Sequence, residues 1–319
     1  MRLVLAALLL ALPLPGFCQD YPTKNVTIVV PYPAGGPTDQ LARLIAPRFA
    51  DRLGRSFIVE NASGGGTTIG TGRVARAAPD GHTLLLHNLQ ISANVALYST
   101  LPYDTERDLV PVAFINRNPL VLVGRKTLAP NTLAELIGYM KTNSASMAHP
   151  GSGSTGHLAT SLFAQQAKVK PVQVPYRGGA PMVQDLLGNH VDLTFGTPQQ
   201  LAPLIAAGQV KAYGVTAKET YAQFPGAASM VSELGPKLEI FYWHALFAPA
   251  ATPKPVIDKL NAVVQGLLDD AALMKNWIDT GVTPYPPAER SPQAAQAFMK
   301  SEIARWGEVV RENKIQPAD

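Results

Sequence analysis

The sequence contains a single cysteine, Cys18, among 319 residues. A disulfide framework is therefore excluded, and so is a metal site built from several thiolates. Lysine and arginine exceed aspartate and glutamate by only 27 − 23 = 4, and aromatic residues make up 7% of the chain. Because nucleic-acid-binding proteins concentrate basic residues on one surface, this dispersed and mild charge argues against a nucleic acid partner.

Motifs for nucleotides, dinucleotides and metals are missing as well. No G-x-x-x-x-G-K-[ST] sequence occurs, and the glycine-rich stretch at 63–70 departs from G-x-G-x-x-G spacing. The six histidines show neither H-x-x-x-H nor H-E-x-x-H spacing, so we predict no metal site and no cofactor. The G-x-S-x-G elbow of hydrolases is missed narrowly at residues 152–156, SGSTG. A secreted serine hydrolase that uses Ser154 therefore stays open as an alternative.

The N-terminus is typical of a secretory signal peptide. Arg2 supplies a positive charge, and the run Leu3–Leu14 is apolar but too short to span a bilayer. Gly16 and Cys18 occupy the −3 and −1 positions of a cleavage site after Cys18. We therefore predict a signal peptide at residues 1–18 and a periplasmic protein. Lipidation of Cys18 is the alternative.

Short apolar strands alternate with helical segments along the rest of the chain. This alternation predicts α/β architecture, with parallel sheets covered by helices, and the length suits two domains. We place one lobe at residues 19–122 plus 247–319 and the other at 123–246, with the chain crossing near Leu120 and Leu246. The predicted elements include the strand Val26–Val30, the helix Asp39–Leu53 and the helix Thr155–Ala167.

Four junctions between a strand and the following helix share one design. They lie at residues 35–39, 151–155, 176–181 and 196–198, and each is rich in glycine, serine or threonine. The first amides of a helix lack partners in the helix and carry partial positive charge, so such ends bind carboxylates. Ordinary helix capping is the alternative for each junction. Arg177, inside the third junction, is predicted either to contact a ligand or to form a salt bridge between the lobes.

Longer stretches of the chain resemble a known family. They include YPAGGPTDQLARLIAPRFADRLG from Tyr32, GSGSTGHLATSLF from Gly151 and VPYRGGAPMVQDLLGNHVDLTFGTP from Val174. These stretches resemble the extracytoplasmic substrate-binding proteins of tripartite tricarboxylate transporters, also called the Bug family. The resemblance extends over essentially the whole mature chain.

The resemblance implies a two-lobed periplasmic-binding-protein fold, in which each lobe is a mainly parallel sheet flanked by helices and the ligand cleft lies between them. It implies that the protein binds a small organic carboxylate and delivers it to membrane permease subunits. It implies no catalysis. We expect a monomer. A sensory role, in which the closed receptor contacts a signalling protein, is an alternative. The ligand-binding residues that it implies lie in the four junctions and just before the first of them: Tyr32, Ala34, Gly35, Gly36, Thr38, Asp39, Ser152, Gly153, Ser154, Thr155, Tyr176, Arg177, Gly178, Gly196 and Thr197.

One segment, HNLQIS at residues 87–92, departs from many members of the family. We expect it to face the cleft, with Asn88 and Gln90 contacting the distal part of the ligand. Leu89 and Ile91 make the segment apolar and favour a less charged ligand, such as an aromatic carboxylate. The alternative is that Leu89 and Ile91 face the core.

Overall fold

The computed structural model describes residues 21–279 and 281–316, so the predicted signal peptide lies outside the described residues. Within them the strands are β1 (Val26–Val30), β2 (Phe57–Asn61), β3 (Thr83–Asn88), β4 (Leu109–Pro119), β5 (Val121–Arg125), β6 (Ser146–His149), β7 (Val172–Pro175), β8 (Leu193–Gly196), β9 (Val210–Val215), β10 (Ala228–Ser229), β11 (Phe241–Pro249) and β12 (Thr283–Pro284). The helices are α1 (Pro37–Leu53), α2 (Thr68–Ala75), α3 (Gln90–Leu97), α4 (Thr105–Asp108), α5 (Leu133–Thr142), α6 (Thr155–Ala167), α7 (Gly179–Leu187), α8 (Pro198–Ala206), α9 (Met230–Leu234), α10 (Lys254–Leu268), α11 (Ala271–Asp279) and α12 (Pro292–Glu312).

The strands form two six-stranded sheets, one in each lobe. The first has the order β12-β4-β11-β3-β1-β2, and the second has the order β10-β9-β5-β8-β6-β7. In the first sheet β1 pairs in parallel with β2 and β3, whereas β11 runs antiparallel to β3 and β4. In the second sheet β6 pairs in parallel with β7 and β8, and β5 runs antiparallel to β8 and β9. The predicted two-lobed α/β fold is confirmed, although both sheets contain more antiparallel pairs than the alternation suggested.

The position of β11 changes the predicted division of the chain. This strand begins at Phe241 and pairs with β3 and β4 along its length, so all of it belongs to the first sheet. The division at residues 246 and 247 therefore falls inside a strand, and the second crossing precedes Phe241. The unbroken run FYWHALFAP shows a strand but carries no local sign of the sheet it joins.

Local signals explain where the first helix begins and ends. Pro37 occupies the first turn of α1, where its missing N–H costs no hydrogen bond. Gly54 ends the helix with φ +71°, a left-handed conformation that glycine adopts without strain. Between them Ile45 and Phe49 are buried against the apolar residues of the first sheet. Within the described residues, no helix combines the length and apolar character that crossing a membrane requires.

Thr216 joins three chain segments where the lobes meet. Its amide donates to the carbonyl of Leu120 at 3.0 Å, and its hydroxyl accepts from the Leu120 amide at 2.8 Å. The same hydroxyl donates to the carbonyl of Ile240 at 2.6 Å, and the Ile240 amide donates back to the Thr216 carbonyl at 3.0 Å. Thr216 is fully buried. Since Leu120 and Ile240 lie at the two crossings between the sheets, this residue ties the crossings together.

We expect Thr216→Val to lower the free energy of unfolding by ~2–4 kcal/mol. Valine keeps the shape but leaves the Leu120 amide and the Ile240 carbonyl unpaired, at ~1–3 kcal/mol for each buried group. Thr216→Ser keeps the hydroxyl and loses one buried methyl group, so it should cost only about 1 kcal/mol. Urea unfolding of both variants measures the difference. Equal stability of the two variants would show that the hydroxyl does not hold the crossing.

Candidate functional site

The junctions of the second lobe lie side by side. The Gly178 amide donates to the Pro150 carbonyl at 3.3 Å, which joins the second and third junctions. A Cβ atom placed on Gly156, near the start of α6, would lie 3.6 Å from the carbonyl oxygen of Phe195 at the end of β8. A Cβ on Gly179 would overlap the side chain of Gln200 in α8. The N-termini of α6, α7 and α8 therefore converge at one edge of the second sheet.

The first junction faces this edge from the other lobe. A Cβ placed on Gly178 would lie 3.8 Å from Pro33 Cγ, in the loop between β1 and α1. A Cβ placed on Gly153 would lie 3.8 Å from Gln90 Nε2, at the start of α3. The four predicted junctions thus meet across the cleft between the lobes.

Asp39 holds the loop between β1 and α1 together. Its carboxylate accepts hydrogen bonds from the Gly35 amide at 2.9 Å, from Arg43 Nε at 3.0 Å and from Asn61 Nδ2 at 3.0 Å. Burial of this carboxyl group opposes ionisation, but the hydrogen bonds from Arg43, Gly35 and Asn61 keep its pKa below the usual value. Asp39 is 2% exposed. Its side chain therefore shapes the loop, and a ligand contact by Asp39 stays a prediction.

A directed chain of hydrogen bonds lies beneath α1. His244 Nδ1 lies 2.8 Å from Asn116 Oδ1, and this oxygen can only accept, so His244 donates from Nδ1. His244 Nε2 is then an acceptor for the hydroxyl of Thr38 at 3.1 Å. The Thr38 oxygen in turn lies 3.2 Å from the hydroxyl of Tyr242 and accepts from Asn88 Nδ2 at 3.2 Å. Asn88 Nδ2 also donates to Tyr242 at 2.9 Å.

This chain of bonds fixes the first turn of α1 from below. The side chains of Thr38 and Asn88 form hydrogen bonds inside it, and a ligand contact by either residue stays a prediction. Tyr242, His244 and Asn116 were missed by sequence reasoning. One feature of the sequence could have indicated them: polar side chains at alternate positions of a strand point to the same face. Tyr242 and His244 are two residues apart in β11 and show this pattern. What remains for a ligand is the backbone of α1, whose Thr38 and Asp39 amides have no acceptor within the helix.

The histidines of this region are neutral. Burial lowers the pKa of His87 to about 3 and that of His244 to about 3, with the neighbouring His87 adding to the effect on His244. The hydroxyl of Tyr32 lies 3.2 Å from His87 Nδ1. Burial raises the pKa of Tyr32 well above the usual value. His87 Nε2 lies 3.2 Å from Thr67 Oγ1. These two histidines therefore add no positive charge to the first-lobe side of the site.

The segment 88–92 turns its apolar residues away from the cleft. Leu89 and Ile91 are fully buried in the hydrophobic core, which confirms the alternative reading and removes their support for an aromatic ligand. Gln90 begins α3, and its Nε2 donates to the Gly66 carbonyl at 3.3 Å. Of this segment, Gln90 is the residue next to the second lobe, through its approach to Gly153.

Ser154 caps α6 and lacks the geometry of a nucleophile. Its hydroxyl donates to the Gly151 carbonyl at 2.6 Å and accepts from the His157 amide at 3.3 Å. The imidazole of His157, three residues further along α6, uses Nδ1 to accept from the Gly153 amide at 3.0 Å. A general base must accept the proton of its nucleophile, and this hydroxyl proton goes to a carbonyl group instead. The arrangement does not support the hydrolase alternative.

The remaining residues of the second lobe differ in their surroundings. The hydroxyl of Tyr176 donates to Asp185 at 2.6 Å, and desolvation together with this bond raises its pKa to about 12. Arg177 is exposed and forms no hydrogen bond or ion pair with the residues that the structure describes, so the predicted salt bridge between the lobes is wrong. Thr197 precedes α8 but makes no side-chain cap, since its hydroxyl lies 3.4 Å from Gln200 Oε1.

The other predicted residues lie on the same loops. Ala34 and Gly35 are exposed, Ser152 is half-buried, and Gly153 and Gly196 are buried. The buried Thr155 hydroxyl has no hydrogen-bond partner among residues 21–279 and 281–316. In that same part of the chain no group of three or more histidine, cysteine, aspartate or glutamate side chains could hold a metal ion. A ligand contact by any of these residues stays a prediction.

Two α/β lobes with helix N-termini facing one cleft define the class of two-lobed periplasmic binding proteins. Solved structures agree with this class. The periplasmic binding protein BugD is 34% identical, with a TM-score of 0.86 over 93% of this chain and 100% of BugD. MatC from Rhodopseudomonas palustris, solved with bound malate, is 36% identical, with a TM-score of 0.84 over 91% of this chain and 100% of MatC. A third structure, from R. palustris with adipate, is 34% identical, with a TM-score of 0.85 over 94% of this chain and 100% of that protein.

The family follows from a separate comparison of sequences. The model of the tripartite tricarboxylate transporter family receptor matches residues 41–315. The chain therefore belongs to the tripartite tricarboxylate transporter receptor family, as its resemblance to Bug proteins implied.

Proposed function

We propose that this protein is a periplasmic receptor that captures a small organic carboxylate between its lobes and delivers it to the permease of a tripartite tricarboxylate transporter. The observation that carries the proposal is the convergence of four helix N-termini, one from the first lobe and three from the second. Unpaired amides at such ends attract carboxylates without the aid of charged side chains. Neutral His87 and His244 fit this role, because they support the loop without adding a fixed charge.

Anionic groups at both ends of the ligand suit this cleft best. The first lobe offers the α1 amides, and the second offers the ends of α6, α7 and α8 together with the exposed Arg177 in the junction before α7. Two of the similar solved structures were obtained with malate and with adipate, which are both dicarboxylates. We infer a dicarboxylate ligand for this chain, and the core positions of Leu89 and Ile91 favour it over an aromatic acid.

The remaining parts of the proposal rest on the family. Membership in the family supports delivery to permease subunits and a location in the periplasm, and the N-terminal sequence supports cleavage after Cys18. A monomeric state is part of the proposal. Binding without catalysis is supported by the geometry of Ser154, whose hydroxyl caps a helix and donates its proton to the Gly151 carbonyl.

A thermal-shift screen of the mature protein against malate, adipate and benzoate tests the ligand class. A ligand that binds only the folded state stabilises it by roughly 2.7 kcal/mol at a hundredfold excess over the dissociation constant. We expect higher melting temperatures with malate or adipate, little change with benzoate, and no consumption of the acid on incubation. No shift with either dicarboxylate would overturn the proposed class, and turnover of a bound acid would overturn a receptor role.

A further inference from the structure

Leu97 and Gly153 form a close contact between the lobes. Leu97 is the last residue of α3 in the first lobe, and Gly153 lies in the junction before α6 in the second. Both are buried, and Leu97 belongs to an apolar cluster that includes side chains of both sheets. A Cβ atom placed on Gly153 would overlap Leu97 Cδ2. The side chain of Leu97 thus packs directly against the backbone of Gly153.

The surroundings leave Gly153 little room to move away. Its amide donates to His157 Nδ1 at 3.0 Å, and its φ of +71° is a left-handed conformation. The neighbouring Ser154 hydroxyl is bonded to the Gly151 carbonyl at 2.6 Å, which closes the loop on itself. These hydrogen bonds hold the loop in the position where the end of α3 packs against it.

We propose that the contact between Leu97 and Gly153 sets how closely the two lobes approach, and through this determines the affinity for the anion. The inference rests on the proposed function, because it assumes that the ligand is held by groups from both lobes. If a larger residue at 153 holds the lobes apart, the helix ends of the second lobe no longer reach the anion bound at α1. The observed affinity then falls with the fraction of molecules that can close.

The test is a set of substitutions with a matched control. Gly153→Ala adds one methyl group against Leu97 in a strained conformation. Gly54→Ala adds the same methyl group at the same φ of +71°, but nothing lies within 4 Å of it, so it reports backbone strain alone. Leu97→Ala in the Gly153→Ala background removes the atom that the methyl group would meet. Leu97→Ala alone completes the cycle.

Calorimetric titration with malate and adipate measures affinity. We expect at least tenfold weaker binding by Gly153→Ala, unchanged binding by Gly54→Ala, and recovery in the double variant to within about threefold of Leu97→Ala. Wild-type affinity of Gly153→Ala, or no recovery in the double variant, would overturn the inference. The only native cysteine, Cys18, lies in the predicted signal peptide. Spin labels attached after the substitutions Arg55→Cys and Lys126→Cys therefore report the distance between the lobes directly.

The spin-label distance also separates the two proposals. Binding of an acid by the wild type supports the proposed function, and loss of ligand-induced shortening in Gly153→Ala alone supports the contact. If the wild type binds neither acid, the proposed ligand class fails. The proposal on the contact is then tested by the spin-label distance without ligand. This distance must be longer in Gly153→Ala than in Gly54→Ala, and in the double variant it must return to the value of Leu97→Ala. Equal distances in these variants would overturn it.

Discussion

Gly36→Asp is expected to weaken carboxylate binding at least a hundredfold while leaving the ligand-free protein as stable as the wild type or slightly more so. Gly36 is the N-cap of α1, with φ −78° and ψ 169°, an extended conformation that any residue adopts. A Cβ there would have only the Pro33 carbonyl oxygen within 4 Å, at 3.6 Å. An N-cap carboxylate accepts hydrogen bonds from the second and third helical amides. Aspartate would therefore occupy the groups that we assign to the ligand.

The opposite directions of the two effects make this substitution informative. A capping aspartate in place of glycine stabilises a helix by a few tenths of a kcal/mol, and its charge favours the N-terminus further. Gly36→Ala is the control, since it adds a side chain without a hydrogen-bond acceptor and should bind within a few-fold of the wild type. Urea unfolding without ligand and calorimetric titration with malate and adipate give both quantities. Undiminished binding by Gly36→Asp would mean that the anion does not sit on the first turn of α1.

Lowering the pH from 7 to 5 is expected to destabilise the protein by roughly 2 kcal/mol for each deeply buried histidine. Burial lowers the pKa of His87 and His244 to about 3 and that of His157 to about 4, where His149 adds to the effect. An unfolded histidine has a pKa near 6.5, so the unfolded chain binds more protons throughout this range. The stabilisation is complete well above pH 6.5 and is lost as the pH falls toward the folded pKa values.

Urea unfolding at pH 7, 6 and 5 measures this dependence, and one substitution isolates a single group. His157→Gln keeps an acceptor for the Gly153 amide but cannot be protonated, so the loss between pH 7 and pH 5 should shrink by roughly 2 kcal/mol. His190→Gln is the control, because it makes the same exchange at an exposed side chain outside this region. A wild-type stability that is equal at pH 7 and pH 5 would show that these histidines are not held neutral by the fold.

The elements that carried strong local signals were predicted closely. The strand β1 and the helix α6 have the predicted bounds, and α1 begins two residues before its predicted start. A run of β-branched residues, a capping serine and a closing glycine act within one or two turns of the chain, so the sequence nearby contains the whole signal. The four glycine-rich junctions belong to the same category, since each is a property of one strand, one turn and one helix.

The helix α3 lacked such a signal and was missed. Leu89 occupies its N-cap position without a capping side chain, and the helix is held by packing against α12 from the far end of the chain. The hydrogen bonds of Asn88 could not be predicted from the nearby sequence for a related reason. Its amide group is bonded to Tyr242, which lies 154 residues further along the chain. Contacts over such separations are set by the folded arrangement and leave no pattern in the local sequence.

The residues alone were thus sufficient for the two-lobed α/β architecture, the family and the four helix ends, because periodicity, caps and glycine turns are short-range properties. The folded structure was needed to learn that the side chains of Asp39 and Thr38 support the first turn through hydrogen bonds, that Leu89 and Ile91 face the core, and that the second crossing precedes Phe241. It was also needed to bring Leu97 against Gly153. These features depend on which surfaces meet when two sheets pack, and a side chain's partners across a lobe boundary are chosen only at that step.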